Sequence, residues 1–409
     1  MRIAFIVSQF PMLSETFILN QVTGLIERGY EVDIYTERFG DWDYVHPDVD
    51  NYQLRKRTFL LESVPENYGL RVIKGLALLL TNFHKQPKLI LNSLNIFESG
   101  LQAAGLWLLY SAISLINRPN YDIIHCQFGT QGYRGWFMQQ LIKPKPKLIL
   151  MFRGHDISSY VQQKGEQVYQ PLFKAADLCL ANCEFFRQRV IELGCDPDKI
   201  TVHRSGLDVN KFPFRLRSRK LSEPVIIATV GRLVEKKGIE YAIRAVVKQA
   251  KYYSLVYYII GDGTLRPSLE TLIRELEAED YIHLLGGKNE AEIIELLSKA
   301  DLFIAPSVTA ADGNQDAPIN VLKEAMVMGI LVISTLHGGI PELVEDGVSG
   351  YLVPERDVDA LSQRLGDLLS DTQCWEAMGK AGRAFVEQHY EINSLNDRLV
   401  ELYLSLNHG

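Results

Sequence analysis

Short apolar runs alternate with longer amphipathic runs along this chain of 409 residues, and the alternation begins twice. Buried parallel strands joined by helices produce this pattern, so the sequence predicts βαβ units and an α/β fold. The first series opens at Ile3–Val7 and the second at Val225–Val230. Because a chain of this length exceeds what one hydrophobic core usually organises, we expect two domains of about 200 residues each.

The residues that interrupt these runs set the predicted boundaries. A helix is predicted from Ser14, a suitable N-cap, to about Arg28, where Gly29 ends it. The other strands predicted in the first half are Glu31–Tyr35, Ile123–Cys126, Lys147–Phe152, Leu178–Ala181 and Ile200–His203. Those in the second half are Val256–Ile260, Ile282–Leu285, Leu302–Ala305 and Leu331–Ser334, and a helical stretch from about Cys374 to Leu406 follows. We expect an N-terminal domain over 1–206, a linker over 207–223, a second domain over 224–385 and a C-terminal helix over 386–409.

Charge and cysteine usage argue against several classes of protein. The formal net charge of −7 gives no overall field that would attract nucleic acid. The five cysteines are scattered, and Cys179 and Cys183 have no second pair or histidine cluster to complete a zinc site. We therefore expect reduced cysteines, no metal site and a cytoplasmic protein.

The apolar segments are too short to cross a membrane. The first run stops at Ser8 with no cleavage site after it, which predicts a buried strand and not a signal peptide. The longest run, Leu101–Ile116, is interrupted by polar residues and is shorter than the roughly 20 residues of a spanning helix. The mostly helical region from Leu60 to Ile116 also carries Arg71, Lys74, Lys85 and Lys88. Two interpretations stay open for it: core helices packed on the sheet, or a basic apolar face resting on a membrane surface.

A segment rich in glycine and lysine, Gly231–Gly238, directly follows the strand Val225–Val230. Ligands bind at the carboxyl ends of the strands in open α/β sheets, and a glycine there lets the backbone approach the ligand. Arg232 can contact two phosphate oxygens at once, and Lys237 adds another positive charge. The segment predicts either an anion site or a solvated loop. It is not a P-loop, because no Gly-Lys-Ser/Thr follows.

A second polar segment follows the strand Leu302–Ala305. Asp316 precedes a helix that begins near Ile319, and we predict that its carboxylate caps that helix. Asp316 and Glu324 are eight residues apart, or about 12 Å of rise on a helix, which suits contacts at both ends of an extended ligand. Glu324 lies among apolar helix residues, where an unpaired carboxylate is costly to bury, and this favours a functional role over a solvent-facing one.

Polar residues also follow three predicted strands of the first half. They are Ser14, Glu15 and Thr16, then His125 and Gln127, then Arg153, His155 and Asp156. Because the carboxyl ends of parallel strands meet at one edge of a sheet, we expect these residues to face a common cleft. In the second half, His337–Glu342 follows a strand and is either a further site loop or a plain turn.

These motifs resemble those of glycosyltransferase family 4, whose members are retaining enzymes of the GT-B fold. The resemblance spans nearly the whole chain and depends most on GRLVEKKG, GDG, APS, NVLKEAMVMG and GGIPELVEDGVSGYLVP, in that order. In the first half, MLSETFILNQV and IIHCQFG…MFRGHDIS are similar to the subgroup that builds bacterial exopolysaccharides of the colanic acid and amylovoran type. The resemblance implies two Rossmann-like, doubly wound domains facing a central cleft, with a last helix that crosses back to the first domain.

The resemblance also implies roles for residues at matching positions. Arg232 and Lys237 take the diphosphate-binding positions, and Glu324 takes the second position of a Glu-x7-Glu pair, near the ribose. The donor-binding set so implied is Gly231, Arg232, Lys237, Gly261, Leu285, Ser307, Asp316, Ala317, Pro318, Ile319 and Glu324. The catalytic set is Arg232, Lys237, Asp316 and Glu324, and the acceptor side holds Ser14, Glu15, Thr16, His125, Gln127, Arg153, His155 and Asp156.

Two positions depart from the family pattern. Asp316 stands where the first Glu of the pair is usual, with Ala317 in place of the glycine that normally follows. Arg153 stands where many relatives carry histidine, and His155 lies two residues further on. Either Arg153 or His155 is a candidate for that histidine's role.

The activity implied is the transfer of a sugar, with retention, from a UDP- or GDP-linked donor to a saccharide or polyprenyl-linked oligosaccharide acceptor. The setting implied is bacterial exopolysaccharide synthesis at the inner face of the plasma membrane. No cofactor is expected, because fixed cations would replace a metal at the diphosphate. Two alternatives are a GT-B-fold sugar-nucleotide epimerase, which would convert its donor without an acceptor, and an inactive nucleotide-sugar-binding protein, suggested by Asp316 and Arg153.

Overall fold

Two parallel sheets organise the protein, a computed structural model of which describes residues 1–12, 15–43, 45–218, 223–316 and 318–407. The first sheet contains β1 (Arg2–Phe10), β2 (Glu31–Phe39), β3 (Thr58–Leu60), β4 (Ile123–Cys126), β5 (Lys147–Phe152), β6 (Leu178–Ala181) and β7 (Ile200–Val202). The second contains β8 (Val225–Val230), β9 (Leu255–Ile260), β10 (Ile282–Gly286), β11 (Leu302–Ala305), β12 (Leu331–Thr335) and β13 (Tyr351–Val353).

Helices cover both faces of each sheet. In the first half they are α1 (Thr16–Glu27), α2 (Pro47–Asn51), α3 (Tyr68–Asn82), α4 (Pro87–Ser93), α5 (Ile96–Ala104), α6 (Trp107–Leu115), α7 (Gly132–Leu141), α8 (Ser159–Lys164), α9 (Gln170–Ala175) and α10 (Glu184–Glu192). In the second half they are α11 (Ile239–Ala250), α12 (Arg266–Glu275), α13 (Glu290–Lys299), α14 (Asn320–Val327), α15 (Val358–Ser370), α16 (Cys374–Tyr390) and α17 (Ile392–Asn407). Buried apolar side chains fill the layers between sheet and helices on both sides of each sheet.

The strand orders are those of doubly wound α/β domains. The first sheet runs β3-β2-β1-β4-β5-β6-β7 and the second runs β10-β9-β8-β11-β12-β13. In each sheet the order reverses once, between β1 and β4 and between β8 and β11, and a crevice forms outside the strand ends at such a point. The two reversal points therefore mark where a ligand is expected in each domain.

The strands differ from prediction mainly in length. β1 continues past Val7 to Phe10, and β2 continues past Tyr35 to Phe39. The edge strands β3 and β13, of three residues each, were not predicted. The first helix begins at Thr16 and ends just before Gly29, whose φ of 80° suits the glycine predicted to stop it. Ser14, the predicted cap, lies outside the described residues.

The apolar region before β4 folds into the four helices α3 to α6. Helix α6 is largely buried against the sheet, but α3 buries only Gly75. Leu80 on α3 and Leu101 on α5 are 77% and 89% exposed, so this region is not simply a core layer. None of the helices in the described part of the chain has the length and apolar content that crossing a bilayer requires.

The predicted linker carries a basic run, Arg215, Arg217, Arg219 and Lys220, and such a run more often forms a solvated face than a binding site. Arg217 is instead buried and donates to the carbonyls of Arg215 and Leu297. Burial lowers the pKa of Arg217 to about 10. Arg219 and Lys220 of the same run lie outside the described residues.

The predicted C-terminal helical stretch is broken in two at Glu391. The backbone of Glu391 is extended, and its carboxylate accepts the N–H groups of Asn393 and Ser394 at the start of α17. Helix α17 then packs on α1 in the first domain, where Arg28 pairs with Asp397 at 2.6 Å. The chain thus returns to its first domain after completing its second.

Candidate active site

The loop after β8 is shaped by glycines that no larger residue could replace. A side chain on Gly261 would lie 1.9 Å from the carbonyl oxygen of Gly231, and one on Gly238 would lie 2.0 Å from that of Pro306. Gly261 and Gly238 also have φ values of 137° and 58°, which favour glycine. The ends of β8, β9 and β11 are therefore held close together, and the loop that carries Arg232 and Lys237 lies over them.

A buried carboxylate joins the two polar segments of the second domain. Asp316 is 5% exposed, and its two oxygens lie 3.0 Å from the Lys236 ammonium and 2.8 Å from the Lys237 ammonium. The Ser307 hydroxyl donates to the same carboxylate at 2.9 Å. Burial alone would raise the pKa of Asp316, but the two lysines outweigh it and hold that pKa well below its usual range.

Lys236 was not among the predicted site residues. Three consecutive loop residues form a 3-10 turn, Glu235–Lys237, and the turn directs both lysines toward Asp316. Burial lowers the pKa of Lys237, and the Asp316 carboxylate opposes that shift. The adjacent Lys-Lys pair was the available signal, but the direction of each side chain within a short loop could not be inferred from it.

The prediction that Asp316 caps a helix is wrong. Helix α14 begins at Asn320, its N-cap is Ile319, and no side chain caps it. The rise of about 12 Å expected between Asp316 and Glu324 does not apply, since the residues before Asn320 are not helical. The backbone of this segment instead leaves Asp316 free to pair with the lysines. Ala317 lies outside the described residues.

A buried histidine, His337, fixes the backbone of Asp316 by a hydrogen bond. His337 accepts the backbone N–H of Asp316 through Nε2 at 2.8 Å, and its Nδ1 lies 2.6 Å from the Glu355 carboxylate. Burial raises the pKa of Glu355, but hydrogen bonds from Thr309 and His337 outweigh it and lower that pKa overall. The segment His337–Glu342 is thus more than a plain turn, although His337 was not among the predicted site residues.

Glu324 and its neighbour Lys323 lie at the junction of the domains. Burial and the Glu290 carboxylate raise the pKa of Glu324 to about 7. Lys323 is buried and donates to the Ser205 carbonyl at 2.6 Å, and burial lowers its pKa to about 7. Lys323 therefore links α14 to the first domain.

A cavity of about 580 Å³ lies between the domains at the two strand-order reversal points. The predicted donor-binding residues that line it are Gly231, Arg232, Lys237, Asp316, Pro318 and Ile319. Gly261 packs against Gly231, and Ser307 donates to Asp316, so both residues support this wall. Leu285 is half-buried on β10. Glu324 lies further along α14, outside the set of described residues that line the cavity.

On the first-domain side, Glu15, Arg153 and His155 line the same cavity. The Arg153 guanidinium donates to the Gln127 side chain at 2.8 Å and to the Ser205 hydroxyl at 2.7 Å, and burial lowers its pKa to about 10. Burial raises the pKa of Glu15, against the opposing charge of Arg153. A carboxyl group and a guanidinium are therefore fixed opposite the lysines of the second domain.

Three predicted acceptor-side residues are buried supports and do not face the cavity. His125 is fully buried, with Nδ1 2.6 Å from the Tyr403 hydroxyl of α17. Gln127 is buried behind Arg153, and Asp156 accepts the backbone N–H groups of Gly129, Arg153 and Gly154. Their expected contact with an acceptor is corrected, because each is already engaged within the protein. Thr16 begins α1 and lines a different, small cavity.

The arrangement suits a ligand that has an anionic group at the second-domain wall and polar groups at the first-domain wall. Arg232 is exposed at the cavity, Lys236 and Lys237 lie beside it, and the N-terminus of α14 adds free N–H groups. Cations and a helix N-terminus together stabilise phosphate groups, particularly where charge builds up on them. The opposite wall presents Glu15, Arg153 and His155 to whatever lies between the domains.

Comparison with known families matches both halves of the chain. Residues 211–385 match the family described as glycosyl transferases group 1, and residues 82–211 match the one described as glycosyltransferase family 4. The first match covers the segments with Arg232, Lys237 and Asp316, and the second covers the segment with Arg153 and His155.

Two relatives match over almost the full length. WcaL of Escherichia coli, a glycosyltransferase named for colanic acid biosynthesis, is 35% identical over 99% of this chain and 100% of its own. The amylovoran biosynthesis glycosyltransferase AmsK of Erwinia amylovora is 36% identical over 98% of this chain and 99% of its own.

A solved structure has the same fold. HepE of Anabaena, in complex with UDP and glucose, superposes with a TM-score of 0.72 at 18% identity, covering 99% of this chain and 100% of HepE. The predicted fold class, with two Rossmann-like domains facing a central cleft, is confirmed.

Proposed function

The chain belongs to glycosyltransferase family 4, as a group 1 glycosyltransferase, and from that premise we propose that it builds a bacterial exopolysaccharide. The donor in this proposal is a uridine or guanosine diphosphate sugar, and the acceptor is a saccharide or polyprenyl-linked saccharide. The full-length similarity to WcaL and AmsK supports the exopolysaccharide setting. The cluster of Asp316 with Lys236 and Lys237, beside Arg232, is the observation that carries the donor assignment.

The donor's diphosphate is proposed to lie against Arg232 and Lys237, with Lys236 as a third cation. In the free enzyme the Asp316 carboxylate pairs with both lysines, which keeps their ammonium groups in place near the cavity and leaves one net positive charge. A phosphate placed there would share the lysines with Asp316. The leaving diphosphate gains negative charge as the glycosidic bond breaks, and groups fixed in advance stabilise that charge without reorganising.

We assign the sugar of the donor to the space between Asp316 and the first-domain wall. Retention of configuration is proposed to follow a front-face displacement, in which the acceptor hydroxyl approaches from the side of the leaving diphosphate. Fixed cations would serve in place of a divalent metal. Glu324, on the same helix as the phosphate site, is the proposed ribose contact, in keeping with its place in the family motif.

The acceptor is proposed to bind on the first domain, residues 1–206, with the donor on residues 224–385. Glu15, Arg153 and His155 line the cavity on that side and are the proposed acceptor contacts. The raised pKa of Glu15 suits a carboxyl group that hydrogen-bonds a sugar hydroxyl and takes up its proton. Segment 207–223 and the returning helix α17 (Ile392–Asn407) would then connect the two domains.

We also propose that the face formed by α3 and α5 contacts the cytoplasmic surface of the membrane. Ile73, Leu76 and Leu80 project on one side of α3 at helical spacing and are all exposed, as is Leu101. Lys85 and Lys88 follow directly in sequence and are exposed too. An apolar helix face bordered by cations binds an anionic lipid surface.

Vesicle flotation tests this surface contact. Wild-type protein is expected to float with vesicles containing phosphatidylglycerol, and Ile73→Ser with Leu80→Ser is expected to remain at the bottom of the gradient. Tyr252→Ser, which changes a residue 76% exposed on the other domain, is the matched control. Equal flotation of all three proteins would exclude this face.

A donor screen followed by a transfer assay tests the proposed activity. Thermal shifts with uridine and guanosine diphosphate sugars identify the donor, since a bound ligand raises stability according to its affinity. The selected donor is then incubated with polyprenyl-linked saccharides, with and without EDTA, and the anomeric configuration of the product is read by NMR. Conversion of the donor without acceptor, or binding with no turnover on any acceptor, would overturn the proposal.

A further inference from the structure

A second cavity, of about 880 Å³, lies beside the proposed transfer site. One wall is formed by α8 and α10 of the first domain, and the other by the loop around Gly313 and by Glu342 of the second. The lining side chains with the most accessible polar or aromatic groups are Gln162, Glu166, Phe185, Gln188, Arg189 and Glu192. Nothing in the proposed donor or acceptor contacts uses this space.

The two cavities meet at one residue. Gln315 lines both of them, and it is the neighbour of Asp316 in sequence. The carbonyl oxygen of Gln315 would lie 3.4 Å from a side-chain carbon on Gly154, so the two domains approach each other closely beside Gln315. Because the two cavities share Gln315, a saccharide that extends from the transfer site beyond this residue would lie along α8 and α10.

The wall of the second cavity carries amide and aromatic side chains, which are groups that recognise sugars. Amides such as those of Gln162 and Gln188 can both donate to and accept from hydroxyl groups. The Phe185 ring is 39% exposed and offers an apolar face for the C–H side of a sugar ring. A cavity of this size falls in the usual range for binding sites, about 300–1,000 Å³, and has room for more than one ring.

The charged side chains that line this second cavity disfavour the binding of acidic saccharide chains. It contains four carboxylates, Glu166, Glu184, Glu192 and Glu342, and one guanidinium, Arg189. Arg189 pairs with Glu192 at 3.2 Å and Arg187 pairs with Glu184 at 2.8 Å, so among the described residues the Glu166 and Glu342 carboxylates carry the unbalanced charge of the lining. A chain of uronates or phosphates would meet net repulsion here, whereas a neutral chain would not.

The groove is also held together across the domain boundary. The Glu342 carboxylate accepts the backbone N–H groups of Glu184 and Phe185, both at 2.8 Å, at the N-terminus of α10. The wall that carries Phe185 and Gln188 is thereby fixed against the second domain. The groove exists in this form only when the two domains are together, as they must be for transfer.

We propose that this groove, defined by Gln162, Glu166, Phe185, Gln188 and Glu192, binds a neutral saccharide chain, the part of the acceptor behind the sugar that receives the transfer. The inference deepens the proposed function, because it names the acceptor as a neutral oligosaccharide and not a single sugar. The enzyme should accordingly distinguish acceptors by length.

Binding of glycans to the full-length protein tests the proposal without requiring turnover. The probes are neutral and uronate-containing oligosaccharides of one to six units, immobilised on an array and then titrated in solution. We expect retention of neutral glycans of three or more units and weaker retention of uronate chains of the same length. Phe185→Ala with Gln188→Ala should weaken the binding of the neutral glycans at least tenfold, whereas Tyr252→Ala, an exposed ring on the other domain, should not.

Three outcomes would overturn the groove assignment: no retention of any neutral glycan, retention independent of length, or equal binding by wild type and the double variant. Gln162→Ala, on α8 and thus on a different helix, provides a second test if the double variant fails to fold. Nucleotide-sugar binding by thermal shift separates this result from the proposed function, because the groove variants should keep it unchanged. If the wild type binds no nucleotide sugar, the donor assignment is rejected. The glycan-binding data remain valid in that case, because they do not depend on the donor.

Discussion

His337 accepts the backbone N–H of Asp316 through Nε2 at 2.8 Å and thereby fixes the carboxylate that pairs with two lysines. Because Nε2 accepts, the proton of the neutral ring is on Nδ1, which donates to Glu355 at 2.6 Å. A chain of contacts thus runs from Glu355 through His337 to Asp316 and on to the lysines. The carboxylate that pairs with the lysines is thus positioned by residues outside the cavity.

Replacing His337 by Phe is expected to slow transfer through its effect on Asp316. The ring would still fill the space, but the buried N–H of Asp316 would lose its partner, at a cost of about 1–3 kcal/mol. We expect kcat to fall by at least about tenfold with a smaller change in acceptor KM. Steady-state kinetics check this, with His389→Phe on α16 as the control. Unchanged kcat would show that Asp316 does not depend on the histidine.

Lys237→Ala is expected to reduce transfer at least about 10²-fold while the fold is retained. The reason is the loss of one cation fixed where charge develops on the leaving diphosphate. Turnover measured at saturating donor checks it, and Lys248→Ala, an exposed lysine paired with Asp359 on the surface, is the control. Activity within threefold of wild type would reject a catalytic role for Lys237.

Much of the fold could be predicted because short apolar runs and longer amphipathic runs alternate in the sequence, as strands and helices do in the structure. The central strands β8 and β11 are buried and were located to the residue. The break at Glu391 was not, since glutamate favours helices and nothing in the local sequence marks a stop. The chain bends there because the backbone of Leu207, far away in sequence, pairs with Glu391.

Site residues could be predicted only where their position directly after a strand determines where the side chain lies. Lys237 and Asp316 were identified on that basis, and the structure brings them together across 79 residues of chain. The same rule failed for His125, since a polar residue at a strand end can be buried when a distant element supplies its partner. Here the partner is Tyr403, 278 residues later, and no local pattern reveals it.

Asp316→Asn is expected to destabilise the free protein in a pH-dependent way. The pKa of Asp316 is depressed in the folded state, so its ion pairs contribute stability above the usual carboxyl pKa and lose it as the pH falls toward the folded value. We expect a deficit of about 3 kcal/mol between pH 5 and 8 that shrinks below pH 4. Urea unfolding across this range measures it. Asp359→Asn, at an exposed ion pair, should show less than about 1 kcal/mol at any pH, and an equal deficit in both variants would contradict the assignment.

Glu342→Ala is expected to loosen the contact between the domains. The carboxylate that it removes accepts two N–H groups at the start of α10, an interaction usually worth about 0.5–2 kcal/mol. We expect a larger radius of gyration by small-angle scattering and a higher acceptor KM, with nucleotide binding preserved. Glu342→Gln keeps one accepting oxygen and should give an intermediate result. Identical scattering from all three proteins would mean that this contact does not set domain closure.

Tyr403→Phe is expected to lower stability without lowering catalysis. The hydroxyl lies 2.6 Å from His125 in a fully buried position, where α17 returns to the first domain. Its removal leaves Nδ1 of His125 without a partner, at a cost of about 1–3 kcal/mol. The midpoint of thermal unfolding should fall while kcat and both KM values stay within twofold, because His125 does not line the cavity. A selective loss of acceptor turnover with unchanged stability would restore His125 to the acceptor site and contradict the structural role assigned to it.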